Sequence, residues 1–186
     1  AYLSEELAVL ERWVREGGSL IVFSEHFPFD IAVSGLLETF GISTSIGVTI
    51  DHDFSNESAG EIVFEGERLD KRHPIVAGKR SVTKVASYGG SALSGAGYIN
   101  IMKLSDHSMN ISRNWMGVEG GPLGRGNSQG LAGFYGDGRI AAFGDSNGFA
   151  AMIFEDNISK DFVGMNDEAY DWRNLVLNTF DWLSGS

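Results

Sequence analysis

Residues 17 to 30 read G-G-S-L-I-V-F-S-E-H-F-P-F-D, and no other stretch limits the fold as strongly. Leu20 to Phe23 is an unbroken apolar run. Gly17 and Gly18 stop whatever helix precedes it, and the polar corner Ser24-Glu25-His26 ends it. An apolar run without polar alternation suits a strand covered on both faces, as in a parallel sheet flanked by helices. In open α/β sheets, ligands bind beyond the carboxyl ends of the strands. The corner is therefore the first place to look for a site.

The flanking segments point the same way. Ser4 is placed to cap a helix, with Glu5 and Glu6 in its first turn and Leu7, Leu10, Trp13 and Val14 on one stripe. Phe29 to Phe40 reads as a second helix closed by Gly41. Further on, Ile42–Ile50, Glu61–Phe64, Ser81–Ala86 and Tyr98–Leu104 read as strands, and His73-Pro74-Ile75 as a turn. Ser105 to Ser128 reads as a long irregular loop. Gly130–Tyr135 and Arg139–Phe143 form a hairpin around Gly136-Asp137-Gly138, and a last helix spans about Asp167 to Ser184. The expectation is one α/β domain over residues 1–186, with a mostly parallel, flavodoxin-like central sheet flanked by helices and a late β-hairpin. The chain opens almost directly on a helix. A first strand is then expected upstream in a longer chain, or a protein partner or second copy completes the N-terminal sheet edge.

Charge excludes some partners. The chain carries 25 acidic against 14 basic residues, a formal net charge of -11. That balance argues against a nucleic-acid backbone, which needs clustered Lys and Arg. No apolar run approaches the roughly 20 residues of a spanning helix, so no membrane insertion is expected. There is no cysteine, which removes thiol nucleophiles, disulfides and thiolate metal sites.

Candidate site residues fall in the polar segments. His26 at a strand end can serve as a base or a metal ligand, or simply hold the turn through backbone. Glu25 beside it, and Asp145 after Phe143, are the carboxylates placed to orient it. Gly144-Asp145-Ser146 resembles a serine-hydrolase motif. It lies late in the chain, however, and no histidine follows His107, which argues against Ser146 as a nucleophile. Asp51-His52-Asp53 offers metal-ligating types, but neighbours in an extended segment point to opposite sides, and a solvated loop is the simpler reading. No metal site and no cofactor is expected, a Ca²⁺ held by scattered carboxylates and carbonyls being the one left open. Ser24, Gln129, Asn166, Trp115 and Arg113, with Arg125 and Asn127, are polar or aromatic groups of the kind that bind a carbohydrate or small polar ligand. Gly120 to Gly126 lacks the spacing of a phosphate loop. Trp172 and Arg173 read as packing or interface residues.

The segments W-V-R-E-G-G-S-L-I-V-F, G-R-I-A-A-F-G-D-S-N-G-F and N-L-V-L-N-T-F-D-W-L, with Glu25-His26-Phe27-Pro28-Phe29 and G-M-N, together resemble the class I glutamine amidotransferase-like superfamily. They are most similar to an exported bacterial branch with an aspartate at the position of Glu25, and more distantly similar to trehalose-utilisation-type proteins. The resemblance implies an extracellular or periplasmic location. It does not imply glutaminase chemistry, because the nucleophilic cysteine is missing. Two functions stay open: a non-catalytic module that binds a glycan or small polar ligand or serves in assembly, and a hydrolase acting on a small polar or sugar-like substrate with His26 as base.

Overall fold

A computed structural model of the chain describes residues 2–51, 55–56, 61–114, 117–123, 126–155 and 160–185, without the side chains of 55–56, 113–114 and 117–119. His52, Asp53, Trp115 and Arg125 lie outside the described residues, and Arg113 is described only by its backbone.

The chain begins with helix α1 (Ser4–Arg15), strand β1 (Ser19–Phe23) and helix α2 (Phe29–Thr39). Ser4 is the first helical residue rather than the cap. Leu3 holds the cap position, and the Glu6 carboxylate accepts the Leu3 N–H at 2.8 Å. Val14 is fully buried, whereas Trp13 is exposed and lies against Gly18.

Past α2 the expected architecture fails. Ile42–Ile50 is two strands, β2 (Ile42–Thr44) and β3 (Val48–Asp51), which join different sheets. Between them Gly47 takes φ 142°, and a Cβ there would lie 2.4 Å from the Ile111 carbonyl oxygen. That turn needs glycine. Next come β4 (Ser55–Asn56), β5 (Glu61–Glu65), a short helix α3 (Pro74–Ala77), β6 (Lys84–Tyr88), β7 (Leu93–Gly95) and β8 (Ile99–Lys103). The segment expected to be an irregular loop contains an antiparallel pair, β9 (Ser108–Asn114) and β10 (Gly117–Pro122). The expected late hairpin is present as β11 (Ser128–Tyr135) and β12 (Gly138–Phe143). A second hairpin, unread in the sequence, follows as β13 (Ala151–Glu155) and β14 (Lys160–Gly164). Helix α4 (Trp172–Ser184) closes the described chain.

The main sheet has six strands in the order β1-β12-β11-β7-β2, with β8 also paired to β11. Among the described residues only the β1–β12 pairing is parallel. The smaller sheets, β10-β9-β3, β4-β5-β6 and β13-β14, are antiparallel throughout. The protein is therefore β-rich and mostly antiparallel, which overturns the expected parallel α/β sheet. The cause is connectivity. A parallel neighbour needs a long crossover, whereas tight glycine turns return the chain antiparallel. The helix-strand-helix opening holds locally, but β12 reaches the side of β1 through its hairpin with β11.

Strand alternation explains the core. Ile140 and Ala142 of β12, with Leu131 of β11, face Val14, Leu36, Leu37 and Phe40 of the first two helices. Ala141 and Phe143, with Ala132, face Trp172 and Leu175 of α4 and Ile62 and Phe64 of β5. Successive residues point to opposite faces, so two strands divide one protein into two apolar layers. Phe23, Phe143, Phe149 and Trp172 form a chain of ring contacts with centroids 4.7 to 6.2 Å apart. The Trp172 indole N–H donates to the Ala86 carbonyl at 2.7 Å, which fixes this tryptophan as a packing residue.

Candidate functional site

Because β1 and β12 run parallel, their carboxyl ends open on the same side of the sheet. Ser24 and Glu25 follow β1, and Gly144 and Asp145 follow β12. The Ser24 N–H continues the ladder to the Phe143 carbonyl at 2.8 Å. One group bridges the two exits: the Ser146 N–H donates to Glu25 Oε1 at 2.5 Å. Glu25 is the one described non-glycine residue with positive φ, at 59°. Left-handed backbone is costly for a side chain with a Cβ, so the surrounding contacts must hold it there.

Asp145 is almost completely buried. Its Oδ2 accepts the Tyr88 N–H at 2.6 Å, and Oδ1 accepts the backbone and side-chain N–H groups of Asn147 at 2.9 and 2.8 Å. Burial raises its pKa to about 6, with the charge of Glu25 adding to the rise and the donated hydrogen bonds opposing it. A buried carboxylate beside a second carboxylate is the most perturbed acid of this corner.

Ser24 is also buried, in a ring of hydroxyls. Ser91 Oγ donates to Ser24 Oγ at 2.7 Å, Ser24 and Thr44 share a 2.7 Å bond, and Thr44 reaches Ser91 at 3.0 Å. Gln129 is buried beside them, taking the Ser87 hydroxyl on its Oε1, while its Nε2 has no protein partner. The backbone ties these parts closely: Gly144 N–H donates to Gln129 O at 3.0 Å, and Ser91 N–H donates to Gly144 O at 2.9 Å. A Cβ on Gly90 would lie 2.2 Å from the Gly144 oxygen, so the Gly89-Gly90-Ser91 crossing must be glycine there.

His26 stands apart from this network. Its Nδ1 is 2.8 Å from the Phe27 carbonyl oxygen, and its ring packs edge-on against Phe29, centroids 5.8 Å apart. The Asp30 carboxylate anchors the same turn, accepting the N–H groups of Gly47 and Ile31 at 2.7 Å each. The structure thus groups Ser24, Glu25, Asp145 and Gln129. Asn166 lies elsewhere, lining a pocket of about 330 Å³ with Phe162, Asp167, Glu168 and Ala169. Sequence reading passed over Thr44, Tyr88, Ser87, Ser91 and Asp30. The paired glycines before Ser91 were the one available signal.

A polar cleft of about 410 Å³ opens between Ser45 and the β9–β10 pair, lined by Asn110, Ser112 and Gly120 to Leu123. Asp51, expected in a solvated loop, is fully buried instead. It pairs with Arg68 at 2.6 Å and accepts the Ser105 hydroxyl and N–H at 2.7 and 3.0 Å. Burial pushes its pKa up, but the Ser105 bonds and the Arg68 charge outweigh this and hold it below the usual range. Its carboxylate is committed to that pair. Among the described residues, no group of three or more His, Asp or Glu is placed to hold a metal ion. No described helix is long and apolar enough to cross a membrane.

No known family pattern matches the chain, and no curated protein matches it. Among solved structures, the chain is similar to an mmIFT52 N-terminal domain, with TM-score 0.61 and 15% identity, covering 100% of this chain and 73% of that one. A weaker likeness, TM-score 0.44 and 12% identity over 75% of this chain and 48% of the other, is to a cytoplasmic protein, STM1381, from Salmonella typhimurium LT2. At that identity the first likeness establishes a shared fold. The resemblance to the glutamine amidotransferase-like superfamily is corrected by these findings: the neighbour that shares the fold is an mmIFT52 N-terminal domain, and the sheet is mostly antiparallel. The extracellular or periplasmic location rested on that resemblance alone.

Proposed function

We propose that this chain is a non-catalytic module that serves in assembly with another protein. The observation that carries the reading is the β13–β14 ribbon. It forms a sheet of its own, and Met152, Ile153, Phe154 and Phe162 on it are 39 to 55% exposed. A two-stranded ribbon is marginal alone in water, and clustered exposed apolar side chains mark interaction surfaces. The strand-end corner supports the same reading from the other side. Ser24, Glu25 and Asp145 are engaged with the protein's own groups, and the His26 ring is held against the Phe27 backbone carbonyl. The outer edge of β1, last in its sheet among the described residues, is a second place where a strand from a partner can pair.

The test is amine-reactive cross-linking in an extract of the source organism. Lys160 lies on the ribbon and is exposed. Cross-links to a partner chain are expected from Lys160 and are expected to vanish in Phe154→Ser. Cross-links that survive this substitution, or their absence from the ribbon, overturn the reading.

A second reading, a hydrolase on a small polar or sugar-like substrate with His26 as base, is favoured by the raised Asp145 carboxylate beside Glu25 at a strand end. Turnover of chromogenic ester or glycoside substrates, lost in both His26→Ala and Asp145→Asn, is the result that would establish it.

A further inference from the structure

The ribbon is not uniformly apolar. At its base the pocket of about 330 Å³ places the Phe162 ring beside Asp167 and Glu168, with Asn166 and Ala169 completing the wall. The described lining of this pocket contains two carboxylates and no cationic side chain. Negative charge continues beyond it. Glu61 accepts the hydroxyls of both Tyr88, at 3.0 Å, and Tyr170. Burial, Glu61 and Asp167 together push both tyrosines well above the ordinary phenol range. The Phe162 ring already receives one cation from its own strand, the Lys160 ammonium 5.9 Å from the ring centre, and Glu155 pairs that ammonium at 3.1 Å. Aromatic faces attract cations, the more so where water is displaced.

We infer that the ribbon is the docking surface for a segment of another protein that combines basic with apolar side chains, its cation entering the pocket between Phe162 and the Asp167 and Glu168 carboxylates. The inference rests on the assembly reading and adds the chemistry of the partner. Charge complementarity selects the occupant. A chain with net charge -11 repels a second copy of itself and an anionic lipid surface, and it attracts a basic segment. The exposed Ile153, directly across the ribbon from Phe162 and so on the same face, then supplies the apolar contact that gives such a segment affinity.

The experiment uses a fluorescent synthetic peptide alternating lysine and valine, read by anisotropy against the full chain. Peptides alternating glutamate with valine, and lysine with serine, serve as comparators. Only the lysine–valine peptide is expected to bind. The pair Asp167→Asn with Glu168→Gln, and separately the pair Ile153→Ser with Phe162→Ser, should each weaken it about tenfold or more. The distant pair Glu16→Gln with Asp137→Asn should leave the affinity unchanged. All these positions are exposed or half-buried, and thermal melting of each variant is the check that it folds. Equal binding of the lysine–serine peptide, or equal loss with the distant pair, overturns the inference in favour of unspecific charge attraction. Ile153-dependent binding to phosphatidylcholine vesicles without peptide binding overturns it in favour of a lipid surface. Ile153-dependent self-association in sedimentation overturns it in favour of a second copy. If peptide recognition fails while the Lys160 cross-links persist, the partner chemistry is wrong and the assembly reading stands. If both fail, both fall.

Discussion

The β11–β12 and β13–β14 hairpins obey the same backbone rule and meet opposite fates. Both are antiparallel pairs of apolar strands. In β12, Ile140 to Phe143 are buried on both faces, and in β13 every residue is exposed. The difference is supplied by what packs against them. The first pair lies between α1 and α2 on one side and α4 with β5 on the other. The second has no covering layer among the described residues. Apolar sequence thus states that a strand needs cover, and it does not state whether that cover comes from the same chain.

Predictions follow the depth of that contrast. The largest effect is expected at Phe143, fully buried against Phe23 and Phe149. Phe143→Ala should cost about 3–5 kcal/mol in urea unfolding, the range for emptying an aromatic core position. A loss below about 1 kcal/mol would erase the distinction between the two hairpins.

The corner between the hairpins should respond to pH. The folded Asp145 carboxyl, raised by burial and then by Glu25 to about 6, binds protons that the unfolded chain has already released. Stability from this group therefore rises as pH falls from 7 toward 4, by about 3 kcal/mol in all. In Asp145→Asn that gain should vanish relative to wild type in urea melts across this range. Parallel pH profiles for the two proteins would show that Asp145 is not raised.

Next comes the root of the ribbon. Gly164 has φ +67°, and a Cβ there would lie 2.3 Å from Ala150 O and 2.4 Å from Asn147 O. Gly164→Ala should cost about 2 kcal/mol through this strain and crowding, seen as a lowered unfolding midpoint. The smallest effect belongs to the ribbon's body. Ile153→Ser and Phe154→Ser should change the stability of the isolated protein by at most about 0.5 kcal/mol while increasing its solubility. A cost near that of Phe143→Ala would mean that the ribbon is covered in solution.

How much was readable in the sequence follows the same division. Local signals were legible: the glycine stops after α1, the apolar run of β1, the Gly136-Asp137 turn and the closing helix α4 all form. The α4 boundary lies at Trp172, with Asp171 as the cap residue and its carboxylate bonded to Thr83 and the Lys84 N–H. Pairing was not legible, because strand direction depends on partners far away in sequence. One helix-strand-helix unit was extended to the whole sheet, and the β9–β10 pair was lost in glycines and polar residues. At the corner, the sequence names the polar residues but not their engagements. Nothing local says that the Glu25 carboxylate ends on the Ser146 N–H or that Ser24 closes a ring with Thr44 and Ser91. Asp51 shows the same limit: its burial with Arg68 is set by β5 and β8, from which Arg68 takes the Val63 and Lys103 carbonyls.

The bridge from Glu25 to Ser146 spans 121 residues, and the strands it joins are the one described parallel pair of the main sheet. On a ribosome, β1 emerges well before β12, its partner among the described strands. Until β12 follows, its apolar side chains and the edge that β12 will take are open to chaperones or to misdirected pairing. Closing so long a loop also slows the search for the native arrangement. The acidic first turn of α1 and the polar corner after β1 flank that strand with charge and hydroxyls, the residue types that guard apolar segments against aggregation.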